Sequence, residues 1–246
     1  MSRKPPDTAV PRAPQVRRPS RGACFAAIRA PELYQNFFIH AFVMFPAAMV
    51  MCWLATRVDA RLGWAPFLTP ASALAIGAAC VVVGVTWIWY VYGYLYLSGA
   101  GSPGTHVDGG PTTLVDTGPY TMVRHPSVLG KLLAVVGLGV AWRSGVFLAG
   151  FLPVLLVYSV VTNRYLQERF CDQRFGLRYA AYREVVPMLV PRPGGILRWL
   201  RDEAALPEEA PRATGAVPDG IRSEFPGYLL GLAGLIAFFA ALGVWL

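Results

Sequence analysis

SVLGKLLAVVGLGVAWRSGVFLAGFLPVLLVYSVVTN, residues 127–163, decides the fold. The run is 37 residues long, and its polar interruption, Arg143-Ser144-Gly145, falls near the middle. An α-helix rises roughly 1.5 Å per residue and a bilayer's hydrocarbon core is about 30 Å thick, so one crossing takes about 20 apolar residues. The run is too long for one crossing. It predicts a tight helical hairpin with arms at about 127–142 and 145–163. The first arm is short, which favours a tilted helix or a re-entrant end.

Three further apolar runs lie outside the hairpin: 34–56, 68–97 and 226–246, the last following Pro226. The whole chain of 246 residues is 55% hydrophobic and only 15% charged, and its mean hydropathy is +0.45. A soluble domain carries about 25% charged residues, so a disordered chain, a coiled coil and an ordinary cytosolic enzyme are excluded. The expectation is an all-α polytopic membrane protein with about five transmembrane helices, the hairpin supplying the third and fourth. Basic residues crowd into 1–33 and 164–225, and 98–126 adds Arg124, His106 and His125, whereas the other two loops hold Arg57, Arg61 and Arg143. By the positive-inside rule, the N-terminus and these three segments are cytoplasmic and the C-terminus lies on the opposite face. The net charge of +8 then reads as topology, and no nucleic-acid partner is expected. Residues 1–33, rich in Pro and Arg, are expected as a disordered basic tail. No cleavable leader is expected, because the first long apolar run begins only near Tyr34. Cys24, Cys52, Cys80 and Cys171 form no CxxC pair and no pattern with His, so neither a disulfide framework nor a metal site is expected.

Two polar segments carry chemistry-bearing residues. In 112–130, TTLVDTGPYTMVRHPSVLG, Pro126 fits the first turn of a helix. Arg124, His125 and the helix-start amides can together hold an anionic or carboxylate-bearing group. The plainer reading makes Arg124 and His125 interfacial anchors. In 163–191, Arg164 and Glu168 are four residues apart on one helical face, and charged groups at the edge of a membrane cavity tend to be functional. Phe175-Gly176 marks a helix break, and Tyr179 and Tyr182 follow on a helix expected to lie on the membrane until Pro187 stops it. Trp87, Trp89, Tyr90, Tyr92, Tyr94 and Tyr96 close the second apolar run and read as an interfacial aromatic belt. They could also wall a lipidic ligand.

The order GxY, RHPxxxG, hairpin, R-x3-E, FGxxYxxY, VPxxxP over residues 112–191 resembles the membrane methyltransferases, a group that includes isoprenylcysteine carboxyl methyltransferases and phospholipid methyltransferases. The resemblance implies a cytoplasmic cofactor-binding region for S-adenosyl-L-methionine. Its contacts would fall on Thr112, Thr113, Leu114, Val115, Tyr120, His125, Pro126, Ser127, Val128 and Glu168. Arg164 would contact substrate, and Arg164 and Glu168 would form the catalytic pair. The chain departs from the family pattern at Thr112, where His is common, at Val128, where Tyr is common, and at Gln167-Glu168, where two acids stand. Counted back from Phe175-Gly176 without a gap, the functional pair falls on Asn163 and Gln167. Keeping the R-x3-E spacing needs a shift of one residue.

Such a site suits its cofactor physically. A sulfonium held in a semi-apolar cavity needs a counter-charge, which Glu168 can supply, and the carboxylate end needs donors, which His125 and helix-start amides can supply. The expected partners are the lipid bilayer and a lipophilic or small-molecule substrate (isoprenylcysteine carboxylate-like or phospholipid amine-like), with no obligate protein partner. Two other readings remain open. One is an NADPH-dependent membrane reductase of the sterol-reductase type, which shares a related RHPxxxG element. The other is a non-catalytic membrane protein that keeps the fold.

Overall fold

The structure is a computed structural model that describes residues 18–99, 113–207 and positions 233, 234, 237 and 241. Thr112 and nearly all of the run 226–246 lie outside the described residues. Every regular element among the described residues is helical, and none is a strand. Helix α1 spans Arg21–Ala26, and the Ser20 hydroxyl caps it by accepting from the Ala23 amide at 3.2 Å. Helix α2, Pro31–Leu62, is 32 residues long and ends on Gly63. Gly63 sits at φ 68°, a left-handed conformation in which a side chain is strained. Helix α3, Pro70–Ser98, starts with Pro at its first turn and with Thr69 accepting from the Ser72 amide.

The 127–163 run folds back on itself. Helix α4 is Pro126–Ala141. A π-turn at Phe147–Phe151 leads into α5, Leu152–Thr162, and a second π-turn at Asn163–Gln167 leads into α6, Glu168–Phe175. Gly176, at φ 51°, breaks the chain, and α7 (Leu177–Val185) and α8 (Pro193–Leu200) follow. Two helical runs are long and apolar enough to cross a membrane by length and composition: α3 and Phe147–Phe175, each of 29 residues. Their outward faces match that reading. Leu74 and Val82 on α3 and Val157 on α5 are each more than 60% exposed, apolar surface that water penalises and lipid accepts.

Helices α3 and α4 pack antiparallel along a seam of glycines. A Cβ on Gly77 would lie 2.6 Å from the Gly137 carbonyl oxygen, and one on Gly84 would lie 2.6 Å from that of Gly130. Only hydrogen at these positions lets the two backbones approach so closely, the packing mode that serves where no hydrophobic effect drives helices together. The hairpin turn is fixed from α2. The Asp59 carboxylate, 7% exposed, accepts from the Ser144 hydroxyl and, at 2.9 Å, from the Val146 amide. The Ser144 hydroxyl oxygen in turn accepts from the Phe147 amide at 3.0 Å. These bonds satisfy the free N–H groups where the second arm begins.

Three expectations change here. The basic tail does not extend to residue 33, because α1 is helical and its Cys24 is completely buried against Tyr90, Val91 and Tyr94 of α3. The aromatic end of α3 is not simply a belt: Tyr90 and Tyr94 are buried packing residues. The aromatic residues of α7 do not face a membrane. Tyr179 and Tyr182 are each 2% exposed and pack with Leu114, Phe175, Val186 and Leu206.

The glycine seam is testable in detergent by thermal unfolding. Gly130→Leu should lower stability by about 1–3 kcal/mol, the usual penalty of overpacking. Gly150→Ala, where an added Cβ meets nothing within 4 Å, should be neutral or slightly stabilising.

Candidate functional site

Five hydrogen bonds hold the RHP segment and the loop before it in position. The Arg124 amide donates to the Pro187 carbonyl at 2.9 Å and the His125 amide to the Met188 carbonyl at 3.3 Å, so the segment pairs edge to edge with the VPM stretch after α7. The Trp87 indole N–H donates to the Pro126 carbonyl at 2.8 Å. Below, the Tyr94 hydroxyl donates to Thr117 Oγ1 at 2.8 Å and the Tyr182 hydroxyl to the Tyr120 carbonyl at 2.6 Å. Burial pushes the Tyr182 and Tyr120 phenols above their ordinary range, which keeps Tyr182 a proton donor. Asp116 joins the loop to α7 through Arg178 at 3.3 Å, and its carbonyl accepts from the Ala205 amide at 2.8 Å. Burial raises the Asp116 carboxyl, with Arg178 pulling the other way.

At the centre stands Glu168, 1% exposed. Its Oε1 lies 3.1 Å from Arg124 Nη2 and 3.4 Å from His125 Nε2. Its Oε2 lies 3.5 Å from Arg164 Nη1. Burial holds the His125 imidazole below its ordinary value of 6.5, overriding the opposite pull of Glu168. The His125 contact is therefore a hydrogen bond from a neutral ring, and Arg124 is the buried counter-charge. With His125 neutral, Arg124, Arg164 and Glu168 leave the cluster one positive charge in excess. Arg124 is 8% exposed at its side chain, and its Nε and Nη1 are buried with no hydrogen-bond partner among the described residues. Unpaired buried guanidinium donors are costly, and planar carboxylates suit them.

The residues expected from the motif divide into groups. Glu168 and His125 are brought together. Arg164 reaches Glu168, but its side chain is 56% exposed, so it sits at the mouth of the cluster. Thr113, Tyr120 and Ser127 are half-buried along the loop and helix start. Leu114 and Val115 pack their side chains into two protein cores, and Pro126 and Val128 are buried as well, so these four side chains are not open to a ligand. The Val128 amide already donates to the His125 carbonyl at 3.1 Å. The alternative pair is placed differently: Asn163 is 2% exposed and its side-chain amide donates to the Ser159 carbonyl at 2.6 Å. Asn163 and Gln167 bound the π-turn just before Glu168. The motif missed Arg124 as the partner of Glu168, and the Asp116–Arg178 link. The sequence marked Arg124, beside His125, as a holder of an anionic or carboxylate-bearing group, without pointing to Glu168 as that group.

The described residues thus form an all-helical fold, with two helical runs long and apolar enough to cross a membrane and a buried ionic site at one end of an apolar hairpin. Residues 72–177 match the family described as Phospholipid methyltransferase. Over 145 residues the chain is 30% identical to Methanethiol S-methyltransferase 2 of Bradyrhizobium diazoefficiens, a match that covers 52% of each chain. The chain thus spans about half the length of the curated relative it matches. No solved structure matches it. The segment similar to that family runs from α3 through α6 and holds the cluster.

Two variants separate the pairs. Glu168→Ala leaves a buried arginine without its counter-charge and should lower stability by about 3–5 kcal/mol. Arg164→Ala removes an exposed pair and should change it by less than about 0.5 kcal/mol. Thermal unfolding in detergent reads both. His125 adds a pH signature. The unfolded imidazole takes up its proton near pH 6.5 and the folded one only at lower pH, so the unfolded state binds more protons in that window. Stability is full above about pH 6.5 and falls as the pH drops below it. The unfolding midpoint of the wild type should decline from pH 7 to pH 5 more steeply than that of His125→Gln.

Proposed function

We propose that this protein is an S-adenosyl-L-methionine-dependent membrane methyltransferase acting on a lipophilic or small membrane-accessible substrate. The observation that carries the reading is the Arg124–Glu168–His125 cluster, buried at the end of the apolar hairpin within the matched segment. In the proposed topology five helices cross the membrane, the cluster and the N-terminus face the cytoplasm, and the C-terminus lies opposite.

The residues present fit the cofactor. The two unpartnered donors of Arg124 suit a carboxylate, and the excess positive charge of the cluster favours an anionic group. Once the ligand's carboxylate offsets that excess, Glu168 can serve as counter-charge to the sulfonium. When bound, S-adenosyl-L-methionine supplies an activated methyl group on that sulfonium. Within the proposed site, Arg124 and His125 orient Glu168, the loop backbone from Thr113 to Val115 and the ring of Tyr120 line the cofactor side, and Ser127 and Val128 close the helix start. Arg164, at the exposed mouth, holds and orients the acceptor. Methyl transfer is an in-line displacement, so alignment of nucleophile and methyl carbon supplies most of the rate. An anionic acceptor needs no base. A thiol or amine acceptor gives its proton to water.

The two matches name different acceptor chemistries, a phospholipid and a small thiol. The discriminating assay offers the purified protein in detergent-lipid mixed micelles radiolabelled methyl donor with a small alkyl thiol, phosphatidylethanolamine or a prenylated cysteine in turn. Label should appear in one acceptor and fall by at least about 100-fold in Arg164→Ala, an effect of the size that misplacement of a reacting group produces. Binding of NADPH with no binding of S-adenosylhomocysteine would contradict the reading.

A further inference from the structure

Helix α8 presents three distinct sectors around its axis. With roughly 100° of rotation per residue, Gly195 and Trp199 share the side turned toward the protein. A Cβ on Gly195 would lie 2.7 Å from the Thr121 carbonyl oxygen, and Trp199 meets Trp87 of α3 edge to face at 5.6 Å. Ile196, Leu200 and Leu197 form the next sector, and they are 37%, 60% and 49% exposed. Arg198 and Arg201 occupy the third. Exposed Arg192 precedes the helix, and Arg21 of α1 lies over the Trp199 ring at 6.0 Å. Among the described residues around α8, Arg18, Arg21, Arg192, Arg198 and Arg201 face two acids, Asp202 and Glu203, while Asp116, which also attracts Arg18, pairs with Arg178. Arg18 and Asp202 also pair with each other, at 3.8 Å.

This arrangement is the one an in-plane helix needs, with an apolar strip toward the acyl boundary and cations at headgroup level. Its place fits too. α8 docks beside the C-terminal end of the apolar α3 and against the loop before α4, where a membrane-crossing helix meets water. We propose that α8 is an interfacial anchor that inserts Ile196, Leu197 and Leu200 into the lipid and binds anionic phospholipid through Arg192, Arg198 and Arg201. The occupant is the anionic leaflet itself, chosen by the surplus of three positive charges. Each arginine at such a surface favours the docked state by about fivefold. The anchor would keep the loop at Thr121, and so the Arg124 segment, level with the membrane surface. The proposal rests on membrane placement and not on methyl transfer, so it stands or falls separately from the activity.

The test uses the full chain in lipid nanodiscs. Leu197→Cys, or Leu200→Cys as a second reporter, is labelled with an environment-sensitive fluorophore in a Cys80→Ala, Cys171→Ala background, Cys24 and Cys52 being buried. In nanodiscs containing phosphatidylglycerol, lipid-borne doxyl groups should quench the label and aqueous iodide should not. Pure phosphatidylcholine, or Arg198→Gln with Arg201→Gln, should restore iodide quenching. Iodide access in both lipids would overturn the proposal. Equal protection in both lipids that the arginine variants leave unchanged would also overturn it, placing the helix against a second copy or another part of the chain.

Discussion

The buried ion pair between Arg124 and Glu168 is the constraint around which the polar half of this protein is arranged. Two charges taken out of water are stable together only when geometry and hydrogen bonding compensate their desolvation. The pair therefore requires that the loop before α4 and the start of α6 meet, and the other contacts serve that meeting. Backbone bonds from Arg124 and His125 to Pro187 and Met188 fix where the guanidinium starts. Trp87 and Tyr94 of α3 and Tyr182 of α7 hold the loop from below. An aromatic cluster that composition alone assigns to a membrane interface is thus also the platform of the site.

The apolar half obeys a different constraint. In lipid, helices gain little from hiding apolar surface from one another, so close backbone approach and satisfied polar ends must hold them. The Gly77–Gly137 and Gly84–Gly130 contacts supply the first. Asp59, reaching from α2 to Ser144 and Val146, supplies the second. The hairpin is pinned at its turn by a buried carboxylate and at its open end by the ion pair, so α4 and α6 arrive at the site in a defined register.

Much of this was legible in the sequence. The length of the 127–163 run and its Arg-Ser-Gly interruption set the hairpin, because a bilayer fixes how many residues one crossing needs. Pro126, Gly176 and Pro187 marked helix boundaries through backbone geometry alone. The rest was not legible, for physical reasons. Arg124 and Glu168 are 44 positions apart, and no local spacing rule links them. A six-residue helix such as α1 is too short to show periodicity, so the burial of Cys24 was invisible. Buried tyrosines and interfacial tyrosines have the same local composition, which misplaced α7. The π-turn at Asn163–Gln167 was not legible either, because it is an irregularity no helical wheel reports.

The central claim is that Arg124 and Glu168 act as one unit in holding the site, and a double-mutant cycle tests it most directly. Affinity for S-adenosylhomocysteine would be measured by calorimetry for the wild type, Arg124→Met, Glu168→Gln and the double variant. The account predicts strong coupling, with the double variant losing little more than either single one. Independent, additive losses, or four equal affinities, would contradict it.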